Sequence, residues 1–152
     1  MGKLDDVDMK ILSALYADAS ISIPKLSKEL GLNLSVTYSR IKRLARRGII
    51  DQFTIIVSEA KLGYPASAFV GINLDPKQRE QALEQISKVE TIRQMVEVTG
   101  RFDLFVELRG RTIEEIHKVV SEILGKIPGV NQSETFVEVA NKRPRATFKM
   151  SA

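Results

Sequence analysis

Residues 34–48 read LSVTYSRIKRLARRG, and this stretch decides the fold. Five of its fifteen positions are Lys or Arg, and none is Asp or Glu. Ile41, Leu44 and Ala45 give it one apolar face, as a helix packed on a small core requires. A shorter helical pattern, Ile23–Leu30, precedes it, with only Gly31, Leu32 and Asn33 between. A short helix, a glycine turn and a basic helix opening on small polar residues predict a helix-turn-helix that reads a DNA groove.

Upstream, residues 4–17 carry an apolar stripe of Leu4, Val7, Ile11, Leu12 and Leu15, which predicts a first helix. Asp5 and Asp6 fall in its first turn, where they complement the helix dipole. Ser22 is placed to cap the second helix, and Pro24 sits in its first turn, where a missing N–H costs nothing. Gly31 suits a left-handed helix end, and Asn33 suits the cap of the basic helix. Arg46, Arg47 and Gly48 end that helix with positive charge and a glycine stop. Ile49–Ile50 and a β-rich run over residues 53–57 follow, so residues 1–57 read as a winged helix-turn-helix domain. Residues 58–64 read as a hinge.

Residues 65–152 follow the order strand, helix, strand, strand, helix, strand. The strands are expected at 66–74, 89–98, 104–108 and 130–139, and the first helix at 77–87. Thr112 and Glu115 form a capping box for the second helix. This order predicts a βαββαβ, ferredoxin-like unit: two helices on one face of a four-stranded antiparallel sheet, α+β overall. The other face lacks a helical cover and needs a second copy or a ligand, so oligomers are expected. The tail, 142–149, is basic, and 145–150 are expected to add a short edge strand.

The chain has 152 residues, 43% hydrophobic and 28% charged, enough for one ordinary domain or two small ones with real cores. Cys is absent and His117 is the only histidine. Disulfides, thiolate or multi-histidine metal sites and Cys-His catalysis are thereby excluded. Glu80–Glu84 and Glu114–Glu115 read as solvated helix surface, not a catalytic pair, and His117 as a helix-surface residue. Phe69, Phe102, Phe105 and Phe136 read as sheet packing, without an RNA-binding signature around them. No phosphate loop or dinucleotide fingerprint occurs. No catalytic residue, metal or cofactor is expected. No apolar run approaches the roughly 18 residues of a membrane span, so a cytoplasmic, membrane-free protein is expected. Net charge is +4, of which residues 1–57 hold +3 and the remainder +1. The excess sits on the basic helix, where it favours nucleic acid.

Several motifs now line up. LDDVDMKILSAL resembles the Leu-Asp-x-x-Asp-x-x-Ile-Leu opening of the Lrp/AsnC family of prokaryotic transcription regulators. KLSKELGL and YSRIKRLARRGII resemble its DNA-binding helices, VTGRFDLFVEL its Thr-Gly-x-x-Asp segment, and IPGVNQSETFVEV its Pro-Gly-Val-x-x-(Thr/Ser)-x-Thr strand. The likeness covers residues 3–139 in family order. It implies dimers that often assemble further, octamers being favoured, and transcription control commonly tuned by an amino acid. It also implies that the C-terminal unit is the effector-binding RAM domain.

Ser35, Val36, Tyr38, Ser39 and Lys42 are the expected base contacts, with Lys donating to guanine and Val36 touching a thymine methyl. Arg43 suits a base or a phosphate, and Arg46 and Arg47 suit phosphates. Arg40 either joins them or reaches an acid within its own domain, and Thr37 reads as core. The second candidate site is Thr99, Gly100, Arg101, Phe102 and Asp103, with Ser133 and Thr135 on one sheet face. Backbone N–H groups of the glycine turn would take a carboxylate, Asp103 an ammonium, and the two hydroxyls further hydrogen bonds. Thr99, Gly100, Asp103, Ser133 and Thr135 match the family's effector positions, with Ser133 where Thr is common. Arg101 and Phe102 fill variable ones. The expected partners are a near-palindromic double-stranded operator, further copies of the chain and a small amino acid. The competing readings are an architectural DNA binder without an effector and a small enzyme on the βαββαβ core.

Overall fold

The structure, a computed structural model, describes residues 3–142 and 146–150. It divides into two units, one running to Ile56 and resumed from Lys142, the other Val57–Asn141.

The first unit holds α1 (Asp6–Ala17), α2 (Ile23–Leu30) and α3 (Leu34–Arg46). Asp5 caps α1 reciprocally with Asp8: the Asp8 N–H donates to Asp5 at 2.9 Å and the Asp5 N–H to Asp8 at 3.2 Å. Ser22 and Asn33 cap α2 and α3, and Gly31 takes the left-handed conformation (φ 64°) that ends α2. Ile11, Leu26 and Leu44 form a fully buried centre, one residue from each helix. Thr37, not Ala45, completes the inner face of α3: Thr37 is buried and donates to the Asn33 carbonyl at 3.1 Å, whereas Ala45 is exposed.

The expected β run after α3 is not a strand. Residues 51–57 have no regular structure, and Ile55 is 81% exposed. A strand needs a neighbour to pair with, and among the described residues this segment pairs with none. The edge strand expected at 145–150 is likewise absent over 146–150, while Arg143 and Arg145 lie outside the described residues. The tail also belongs to the first unit rather than the second: the Phe148 N–H donates to the Ser13 hydroxyl of α1 at 2.8 Å.

The second unit begins with a 3-10 turn, Glu59–Leu62, inside the expected hinge. It continues with β1 (Ala66–Leu74), α4 (Arg79–Ser87), β2 (Ile92–Glu97), β3 (Leu104–Gly110), α5 (Ile113–Lys118) and β4 (Val130–Val137). α5 carries on as a π turn over Val119–Ile123. The sheet order is β2-β3-β1-β4, all antiparallel. Val70, Ile72, Leu104, Val106 and Leu108 are buried with Ala82, Ile86, Ile116 and Leu124. On the other face Phe69, Val96 and Phe136 are exposed, as an uncovered sheet face requires. The capping box on α5 is half formed. Thr112 accepts from the Glu115 N–H at 3.1 Å, but the Glu115 carboxylate takes the Arg111 N–H at 2.6 Å.

Candidate nucleic-acid interface and ligand turn

α3 presents two stripes with different chemistry. Ser35, Val36, Tyr38, Ser39, Lys42 and Arg46 are exposed. Ser35, Ser39, Lys42 and Arg46 follow one another at intervals of four, three and four, which aligns them along one side of the helix. The Lys42 ammonium lies 4.9 Å from the centre of the Tyr38 ring, so the two form one cationic-aromatic patch. The Ser35 hydroxyl donates to the Asn33 side chain and the Ser39 hydroxyl to the Val36 carbonyl, which leaves both oxygens able to accept. Among these residues are small polar groups at the helix start and cations toward its end, the order a helix needs to enter a groove N-terminus first.

Arg40 and Arg43 lie on the second stripe, toward α1. Arg40 donates to Asp5 and Asp8, each at 2.8 Å, and Arg43 donates to both Asp8 oxygens at 2.8 and 2.9 Å. Asp8 is fully buried, a position a carboxylate occupies only when paired. The hydrogen bond from Arg40, with help from the Asp8 N–H, holds the Asp5 carboxyl below the usual range, and Asp5 and Asp8 raise Arg40. The sequence places both arginines among the expected DNA contacts. The structure commits their guanidinium groups to α1, the alternative already open for Arg40. Arg47, the C-cap of α3, is half-buried.

The turn between β2 and β3 is closed by the Val98 N–H donating to the Asp103 carbonyl at 3.0 Å, and Gly100 has φ 128°. Thr99 and Gly100 are exposed. Asp103 is pinned to β1 twice: its N–H donates to the Ile72 carbonyl at 3.0 Å, and its carboxylate accepts from the Leu74 N–H at 2.8 Å. Its other oxygen lies 3.5 Å from Arg79. Phe102, only 9% exposed, lies across Gly71 and meets Phe105 and Phe136 edge-on at 5.5 and 6.2 Å. A Cβ at Gly71 would stand 2.6 Å from that ring, so glycine is required there. Arg101 reaches over to Glu134 at 2.9 Å. Gly71, Arg79 and Glu134 were not among the residues expected from sequence. Their only signal was a glycine inside a strand pattern, which marks a close approach.

Within one chain this turn does not meet Ser133 and Thr135. Those residues pair with Ile72 and Val70, both buried under the helices, and directly paired residues share a face. Phe102 and Arg101 lie on the opposite, open face, beside Gly71 and Glu134. In the sheet plane β1 also separates Asp103 from Ser133, roughly two strand spacings or about 10 Å. Among the described residues no cluster of His, Asp or Glu is arranged to hold a metal, and no helix is long and apolar enough to cross a membrane.

Comparison with known proteins matches both units. Residues 4–51 fit a family model described as winged helix-turn-helix DNA-binding, and residues 67–146 one described as Lrp/AsnC ligand binding domain. An HTH-type transcriptional regulator of Pyrococcus horikoshii is 39% identical over 138 residues, covering 88% of this chain and 91% of its own. The solved structure of AsnC from E. coli superposes with a TM-score of 0.85 at 26% identity, over 95% of this chain and 98% of that one. A transcriptional regulator from Neisseria meningitidis, solved in complex with L-Met, shares the fold at a TM-score of 0.90 and 20% identity, over 97% of each chain.

Proposed function

This chain belongs to the Lrp/AsnC family of helix-turn-helix transcription regulators, and we propose that its α3 reads bases through Ser35, Val36, Tyr38, Ser39 and Lys42. Arg46 and Arg47 hold phosphates, which sets the register and makes binding salt-dependent. Arg40 and Arg43 contribute by fixing α3 on α1. The observation that carries this reading is the exposed basic-aromatic stripe of α3, whose neighbouring arginines are tied inward to buried Asp8. The protein acts as a regulator, not an enzyme, in the cytoplasm. Two DNA-binding units of a homodimer meet successive major-groove faces, so the operator is near-palindromic. The uncovered sheet face supports self-association, with octamers the favoured assembly.

The effector is a free amino acid. Gly100 offers backbone N–H groups to its carboxylate and Asp103 an oxygen to its ammonium. Ser133 and Thr135 complete the site from another copy, because their own lie on the wrong face. Thr99, Arg101 and Phe102 shape the turn. The L-Met bound to the Neisseria regulator of the same fold supports this class of ligand. No cofactor takes part. Bound between copies, the amino acid favours one assembly over another.

Selection of fragmented genomic DNA by the purified protein, with and without the twenty amino acids, tests both parts. A compact palindromic motif with amino-acid-dependent occupancy is expected. Salt-sensitive recovery without any motif would favour an architectural binder and end the operator reading.

A further inference from the structure

The C-terminal tail, ATFKM over residues 146–150, carries one large aromatic group in a basic segment. Ser13 lies on α1, where its hydroxyl donates to the Met9 carbonyl at 2.8 Å and is free to accept. It accepts the Phe148 N–H at 2.8 Å, so both sides of the hydroxyl are used. Tyr16, three residues on and therefore on the same side of α1, meets Phe148 edge-on at 5.4 Å and 84°. Ala146 and Phe148 form one wall of an open groove of about 720 Å³, with Leu12, Leu15, Ile50 and Phe53 among its other walls. These partners come from α1 and the segment after α3. None of these partners, among the described residues, lies on the exposed stripe of α3.

The second unit runs from Val57 to Asn141, so the chain passes between the two units twice, at residues 56–57 and at 141–142, and a seated tail makes the second passage an attachment of the DNA-binding unit. A unit held by one linker samples a wide volume, and a second attachment confines it. We propose that residues 146–150 are a strap that docks on Ser13 and Tyr16 of its own chain and narrows the range of half-site separations the oligomer accepts on DNA. The second part rests on the reading of the chain as an oligomer with paired DNA-binding units.

The test uses the native chain, Phe148→Ala, Ser13→Ala and a chain stopped after Asn141. Phe148 is a partly exposed tail residue and Ser13 a helix-surface one, so neither substitution threatens the fold. Amide exchange reads the docking directly. The Phe148 amide is expected to be protected in the native chain and to exchange roughly tenfold faster in Ser13→Ala, the loss of one hydrogen bond and its cooperative ring contact. Random-coil exchange in the native chain overturns the strap. So does a Tyr16–Phe148 nuclear Overhauser effect seen only between differently labelled copies, which would mean that tails are exchanged. Binding to duplexes with two half-sites at graded separations reads the consequence. The native chain is expected to prefer a narrow range, and Phe148→Ala and the shortened chain a flatter one, with affinity for a single half-site unchanged. An unchanged profile in both variants overturns the tethering role. Failure of the native chain to bind paired half-sites more tightly than single ones would instead count against the oligomeric reading, with exchange still judging the docking.

Discussion

The two candidate sites differ in how much of each one chain contains. The candidate DNA-binding stripe lies on a single helix whose position is fixed by its own core and by Asp8. The candidate ligand turn would be half of the proposed site, since Ser133 and Thr135 lie on the far face of the same sheet. A site carried on one element survives in isolation and is lost when that element moves. A site divided between faces exists only after assembly, so its occupancy can report on assembly. On the proposed reading, this difference would give the regulator a reading head that needs no ligand and a sensor that needs neighbours.

The largest effect should come from removing the anchor of the first site. In Asp8→Ala, Arg40 and Arg43 lose their shared counter-charge in a partly buried position, and breaking such a pair costs about 3 kcal/mol. Urea denaturation should show the first unit melting early and the second unaffected. A loss below about 1 kcal/mol would mean that α3 is held by its apolar face alone. Next, Gly71→Ala should strain the second unit by about 2 kcal/mol, since the Phe102 ring cannot stay where it is beside a methyl group. The distinguishing readout is amino-acid binding, which should weaken as the turn shifts while DNA binding by the first unit persists.

On the reading head itself, Lys42→Ala should cost about 1–3 kcal/mol on the best operator and little on random DNA. Arg46→Ala should weaken all sequences alike and lower the salt slope by about 1. Equal losses on specific and random DNA for Lys42→Ala would move it from base contact to phosphate contact. The divided site has its own test. Asp103→Ala and Thr135→Ala homo-oligomers should each lose amino-acid binding, but mixed oligomers should recover part of it, because some sites then draw the intact turn from one copy and the intact strand from another. No recovery on mixing would place the whole site within one chain.

Much of this is legible in the order of residues alone. Local devices read well because they are decided within a few residues: Ser22, Asn33, Gly31 and Gly48 all do what their chemistry dictates. The βαββαβ order follows from the alternation of strand and helix patterns. Three things are hidden. Whether Arg40 and Arg43 face DNA or α1 depends on a contact with residues more than thirty positions away, and charge alone is silent on that. The faces of Ser133 and Thr135 relative to the turn depend on strand register, which reverses with a shift of one residue. The β-rich run at 53–57 has the right composition for a strand, but composition supplies no partner.

The smallest predicted effect concerns acid. Asp5 titrates below its ordinary range in the folded chain because Arg40 donates to it and the Asp8 N–H does the same. A carboxylate lowered in this way adds stability that is present above its unfolded value and is lost as pH falls through the folded one. Arg40 is raised by the same contacts and stays protonated throughout, so it adds no titration in that window. Below about pH 4 the native chain should therefore lose stability faster than Asp5→Asn, measured as the difference between their urea midpoints across pH. Asp5 is half exposed, so solvent screens the pair and the difference should be small. Parallel midpoints across pH would show that Arg40 relies on buried Asp8 and uses Asp5 only as a helix cap.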